Sequence, residues 1–223
     1  MRIFSAVLGS LLLLPSVAFA APTVPQWDGS YLHGDHTVIL HTTMGAITLK
    51  LDADTAPKAV TNFVRLAESG FYDGLLFHRV IDGFMIQAGD PKGDGTGGES
   101  IYGSTFSDED SGYRMRRGII AMANRGSNTN QSQFFILQTK EAPWLEGKHT
   151  IFGRVTKGLD VVDAIAAVDR DEQDKPIEEI SFTVERVQPT KIIRRTRSTG
   201  VHPNDRVNAR RAAREKRRAA HSQ

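Results

Sequence analysis

The stretch Phe77-His78-Arg79-Val80-Ile81-Asp82-Gly83-Phe84-Met85-Ile86-Gln87-Ala88-Gly89-Asp90 sets a guanidinium, an amide and two large apolar side chains close together along the chain. Strand alternation puts Phe77, Arg79 and Ile81 on one face, with a turn at Asp82-Gly83 before Phe84 and Met85. Arg79 then projects toward a surface that also holds Phe84, Met85 and Gln87. A permanently charged fork beside aromatic and thioether groups suits recognition of an apolar peptide segment by its backbone.

Outward from this stretch, the chain reads as many short strands and two helices. Residues 38–42 and 46–51 are β-branched and alternating, joined by Thr43-Met44-Gly45 as a hairpin. Residues 56–69 predict a helix, with Asp54 or Thr55 as cap, Pro57 in the first turn and Gly70 as stop. Val60, Phe63, Val64 and Ala67 form its apolar stripe. Further strands are expected over 75–81, 84–88, 119–123, 134–138, 150–155 and 180–187, and a second helix over 159–168 after Gly158. Such a pattern suits a mainly β protein, a closed barrel with helical caps.

The 223 residues are 39% hydrophobic, enough for one domain with a sizeable core and extensions. The absence of cysteine excludes disulfides, a thiol nucleophile and Cys-metal sites. A net charge of +2 averages two opposite parts. Residues 191–223 carry eleven Lys/Arg against two Asp/Glu, whereas residues 21–190 carry sixteen against twenty-four. Residues 1–20 read as a secretory signal: Arg2, an apolar run over 3–14, and the small-x-small site Ala18-Phe19-Ala20. The run falls short of the roughly 18 residues that cross a bilayer, and Pro15 interrupts it. No cysteine follows for lipid attachment, and the C-terminus lacks KDEL or HDEL. Export to a bacterial periplasm is expected, with secretion as the alternative. The layout is then signal 1–20, flexible leader 21–36, domain 37–188 and basic disordered tail 189–223. The tail segment 208–221 (NARRAAREKRRAAH) lacks large apolar residues. It reads as a solvated tail or as a binder of anionic surfaces and polyanions.

The run FHRVIDGFMIQAGDP (77–91) resembles the signature of the cyclophilins, the prolyl cis/trans isomerases. APKAVTNF (56–63), GTGGESIYG (95–103), AMANRGSNTNQSQFFI (121–136) and WLEGKHTIFGRV (144–155) match the family pattern in the same order, so the resemblance covers about 37–187. It implies eight antiparallel strands closed into a barrel with two helical caps. It also implies a peptidyl-prolyl isomerase that assists folding of exported, proline-containing proteins. Rotation about an X-Pro bond faces roughly 18–20 kcal/mol, because amide resonance is lost at the twisted state. No bond breaks, so the catalyst needs no nucleophile or tuned base; it must bind the twisted amide best. Arg79 is the residue for that task, donating to the prolyl nitrogen as its lone pair returns.

By the same resemblance, Phe84, Met85, Phe135 and Leu145 grip the proline ring, Gln87 holds the Arg79 head group, and the Asn124 backbone bonds the substrate chain. Gly95, Thr96 and Ala123 to Arg125 match the groove that reads residues preceding the proline. Trp144 matches the position that lets the family bind cyclosporin, and His149 packs beside the pocket rather than moving a proton. Arg125 departs from the small residue expected there, narrowing the groove or favouring acidic substrates. No cofactor or metal is implied, and a monomer is the default. The competing class is a proline-peptide binding module whose turnover is incidental, but such a module could dispense with the charged fork. A nucleic-acid binder built on the tail is not supported by the acidic body. Three patterns compete weakly. Gly93 to Gly98 satisfies G-x-G-x-x-G but opens no helix. His33, Asp35, His36 and His41 lack metal-ligand spacing. Asn130-Gln131-Ser132 is a glycosylation sequon beside the groove.

Overall fold

The computed structural model describes residues 24–187. The expected signal at 1–20 and the basic tail at 191–223 lie outside the described residues. In chain order the elements are β1 (Asp35–Thr42), β2 (Gly45–Asp52), α1 (Pro57–Glu68), β3 (Leu75–Leu76), β4 (Arg79–Ile81), β5 (Met85–Ala88), β6 (Ile119–Met122), β7 (Phe134–Leu137), β8 (Ile151–Lys157), α2 (Leu159–Ala166) and β9 (Ser181–Arg186). One antiparallel sheet holds all nine strands in the order β3-β9-β1-β2-β8-β6-β7-β5-β4.

The expected count of eight strands is corrected to nine, because the strand foreseen over 75–81 is broken. Phe77 N–H donates to Ile180 O at 2.9 Å, while Val80 N–H turns to Asp174 O at 2.8 Å. The segment therefore changes partners at Phe77-His78. Phe77 is buried with its ring 5.2 Å from Phe182, and Arg79 is exposed, so the two do not share a face as alternation predicted. The expected closure is corrected as well: the sheet curls into an open half-barrel whose end strands β3 and β4 do not pair with each other and are connected only by the backbone of Phe77 and His78.

Strands β6 and β7 are buried at every position, which requires apolar residues on both faces. Ile120, Met122, Phe134 and Ile136 point into the main core with Ile86, Phe63 and Phe182. Their neighbours Ile119, Ala121, Phe135 and Leu137 point the other way, into a smaller cluster with Met85 and Ile151. The second cluster is the ground on which the site is built.

Helix α1 buries the stripe Val60, Phe63, Val64 and Ala67 against the sheet. Its cap differs from the expected Asp54 or Thr55. Ala56 occupies the cap position without a side-chain bond. Asp52 Oδ1 instead accepts the Asp54 and Thr55 N–H groups, and the Glu109 carboxylate takes those of Lys58 (3.0 Å) and Ala59 (2.9 Å). Helix α2 starts at Gly158, whose φ of 87° and a Cβ that would sit 2.3 Å from Ala46 O admit only glycine. The segment 24–34, expected as part of a flexible leader, is packed. Leu32 is buried with its N–H on Thr61 Oγ1 at 2.9 Å, and Trp27 donates its backbone N–H to Ile101 O, with its ring tilted against Tyr31 and edge-on to Tyr102.

Burial pushes the Glu109 carboxyl up to about 7, against the pull of its two helix N–H donors and Lys58. The folded value lies above the ordinary 4.5, so between them the native chain holds a proton that the unfolded chain has released. This contribution to stability is complete below the lower value and is lost as pH rises through the upper one. Urea midpoints of wild type should therefore fall across that window relative to Glu109→Gln, whose curve lacks the component.

Candidate active site

A cleft of about 290 Å³ opens over the smaller cluster. Register builds its spine. Arg79 pairs with Gln87, Gln87 with Phe135, and Phe135 with Ala121, across β4, β5, β7 and β6. Directly paired residues present their side chains on the same face, so this row sets a cation, an amide and an aromatic ring side by side. Eleven of the thirteen residues expected at the site line the cleft: Arg79, Phe84, Met85, Gln87, Gly95, Ala123, Asn124, Arg125, Phe135, Leu145 and His149. Trp144 stands outside it in the 3₁₀ turn Pro143–Leu145, more than half exposed, with its ring stacked 6.3 Å from that of Phe84. Thr96 is also outside, its N–H and hydroxyl both on Asp94 Oδ1.

The floor is apolar. Met85 and Phe135 are buried, and Phe84 and Leu145 form a half-exposed rim. The His149 ring meets Phe135 edge-on at 5.3 Å, and its Nδ1 lies 3.0 Å from Met122 O. A carbonyl only accepts, so the ring proton is assigned to Nδ1. Burial lowers the His149 pKa, which keeps the ring neutral and apolar in character near pH 7.

Arg79 reaches the cleft mouth with its side chain nearly half exposed. Its Nε lies 3.4 Å from Asp174 Oδ2, and Asp174 also meets Arg170 Nε at 3.6 Å. The expected hold of Gln87 on Arg79 is corrected. The Gln87 amide donates to Gln133 Oε1 at 2.9 Å, and the Gln133 amide donates on to Gly95 O (3.1 Å) and Gly97 O (2.7 Å). Asp174 is the charged partner instead. Neither Asp174 nor Gln133 was singled out from sequence. Gln133 lies inside the 121–136 run, but Asp174 is one carboxylate in the charge-rich segment 169–175 and nothing local marks it.

The glycine run beside the cleft is held by buried Asp90. Its carboxylate accepts the N–H groups of Lys92, Asp94 and Gly95, the last at 2.6 Å. A Cβ on Gly97 would stand 2.0 Å from Asp90 Oδ1. These amides are spent on a resident carboxylate, so the G-x-G-x-x-G pattern is no phosphate cradle. Asn124 donates its side chain to Lys148 O at 2.8 Å, and among the described residues no hydrogen bond uses its backbone. Arg125 Nη2 donates to Gly95 O at 3.0 Å across the groove. Of the competing patterns, His36 bonds His33 O and His41 meets Glu185 at 2.6 Å. No group of three His, Cys, Asp or Glu is poised for a metal among the described residues. The sequon residue Asn130 is buried, its amide nitrogen on Phe106 O and Asp108 Oδ1, which leaves no room for a glycan.

The model of the family "Cyclophilin type peptidyl-prolyl cis-trans isomerase/CLD" matches residues 37–187. Peptidyl-prolyl cis-trans isomerase-like 1 of Neurospora crassa is 50% identical over 152 residues, which cover 67% of this chain and 93% of that protein. Peptidyl-prolyl cis-trans isomerase cypE of Dictyostelium discoideum is 53% identical over 148 residues, 66% of this chain and 94% of that protein. A longer relative from Arabidopsis thaliana is 54% identical over 147 residues, and the chain spans only 23% of its length. The crystal structure of a cyclophilin type peptidyl-prolyl cis-trans isomerase of Cryptosporidium parvum is similar at a TM-score of 0.67 and 39% identity, covering 70% of this chain and 99% of that one. A second crystal structure of that protein, in the presence of the dipeptide Ala-Pro, gives a TM-score of 0.66.

Gln133 links the Gln87 amide to two carbonyls of the glycine loop, so truncating it strands three polar groups. Gln133→Ala should lower unfolding free energy by about 1–3 kcal/mol. Hydrogen exchange at the Gly95 amide should speed up; unchanged exchange would show the loop is held by Asp90 alone.

Proposed function

The chain belongs to the cyclophilin type peptidyl-prolyl cis-trans isomerase family, and on that premise we propose that its cleft accelerates rotation about X-Pro bonds. The observation that carries this reading is the row Arg79–Gln87–Phe135–Ala121, which sets a guanidinium beside a ring-sized apolar floor. A proline ring fits against Phe135 and Met85, with Phe84, Leu145 and the neutral His149 ring around it. With the ring held, the preceding carbonyl turns while the prolyl nitrogen stays near Arg79. At the twisted state that nitrogen becomes pyramidal and regains a lone pair, which an Arg79 N–H can meet. Planar amides offer no such acceptor, so the bond forms where it lowers the barrier. Asp174 takes the Nε side of the guanidinium and steadies it without capturing the terminal nitrogens. The Ala-Pro dipeptide used with the Cryptosporidium parvum protein is in keeping with this substrate class.

No step moves a proton, and a guanidinium stays charged across physiological pH. Turnover should accordingly stay flat through neutrality. Arg79→Ala should reduce kcat/KM on a proline peptide by about a hundredfold or more, with a smaller loss of peptide binding. An undiminished rate would refute the assigned role.

The proposed clients are exported proteins, and the proposed compartment is the periplasm; the secretory pattern of residues 1–20 and the absence of cysteine support both. Cyclosporin inhibition is expected, with exposed Trp144 at the edge of the cleft as its contact. For the stretch 191–223 we propose adhesion to an anionic surface, since each basic residue near such a surface contributes about 1 kcal/mol. At low ionic strength the full chain should be retained on anionic vesicles and a chain ending before Lys191 should not. Equal retention would defeat the idea.

A further inference from the structure

The cleft wall carries two guanidinium groups, Arg79 and Arg125, and no carboxylate. Asp174 offsets the first. Arg125 has no ion-pair partner among the described residues, and its head group is tied by one neutral bond, from Nη2 to Gly95 O. That tie is built rather than incidental. The Arg125 N–H is fixed on Thr129 Oγ1 at 2.9 Å, and Thr129 Oγ1 donates to Gly126 O at 2.7 Å. Asn124 Nδ2 anchors the same loop on Lys148 O, while Asp108 Oδ2 accepts the Asn128 N–H at 2.8 Å. On the opposite bank, Gly95 is held by Asp90 through its N–H and by Gln133 through its carbonyl. Two braced loops thus hold one uncompensated cation over the groove, with further N–H donors to spare.

We propose that Arg125 is a specificity-determining residue that selects substrates carrying an Asp or Glu beside the proline, on the side of the peptide that crosses between Gly95 and Arg125. This rests on the isomerase reading above and goes beyond it by naming the substrate's charge. A carboxylate meets the planar fork of Arg125 without drawing its stem away from Gly95, because a guanidinium has five donors and only one is engaged. A lysine at the same place meets like charge in a cleft that has no carboxylate to balance it. The pair is partly exposed, so the discrimination is modest and screened by salt.

The test measures kcat/KM on proline peptides in which Glu, Gln or Lys is placed one position at a time along either side of the proline. Wild type, Arg125→Ala and Arg125→Glu are compared at low and high ionic strength. At one position on one side of the proline, wild type should favour Glu over Lys by about fivefold at low salt. Arg125→Ala should abolish the ratio, Arg125→Glu should invert it, and added salt should compress it toward unity. Equal rates for Glu and Lys at every position, or a preference that survives in Arg125→Ala, would overturn the proposal. Arg79→Ala in the same assay separates the two readings. If it destroys turnover while wild type shows no charge preference, the isomerase reading stands and the Arg125 proposal falls. If it leaves turnover intact, the role assigned to Arg79 falls, and the ratio in the Arg125 variants still decides the proposal by itself.

Discussion

The strand register across β4, β5, β7 and β6 is the constraint on which everything else depends. A slip of one residue anywhere along it would turn Phe135 or Gln87 into the main core and bring Phe134 or Ile86 out. The register is protected because both faces of β6 and β7 are filled. Inward residues lock against Phe63 and Phe182 in one cluster, and outward residues against Met85 and Ile151 in the other. The same packing that stabilises the sheet therefore aims the site. A polar network on top of it then fixes the glycine loop, through Gln133 from one side and Asp90 from the other. Chemistry that relies on shape and a fixed donor, rather than on a nucleophile, needs this stiffness most.

The parts of this architecture legible in the sequence are those set by local pattern. The apolar runs at 119–123 and 134–138 read as strands because their neighbours on both faces are apolar, and the first-turn Pro57 marked a helix start. Family motifs gathered residues from four distant runs, and the structure brings eleven of the thirteen into one cleft. The misses have long-range causes. Glu109 caps α1 from fifty residues away, so no cap residue beside the helix needed to supply the bonds. Asp174 faces Arg79 from a charged segment that holds three other carboxylates, Asp169, Asp171 and Glu172, so nothing local distinguishes it. Composition made 24–34 read as loose, but one buried Leu32 and the Trp27 ring outweigh its Pro, Gly and Asp content.

The break at Phe77-His78 has a further consequence. A sheet normally ends in two rows of unpaired N–H and C=O groups that invite any extended chain to add on. Here the outermost strands are only two and three residues long, and one continuous backbone runs from the first edge to the last. Little ladder is left to copy. An extended peptide seated in the cleft, as proposed, thus meets little free edge on which to add as a further strand.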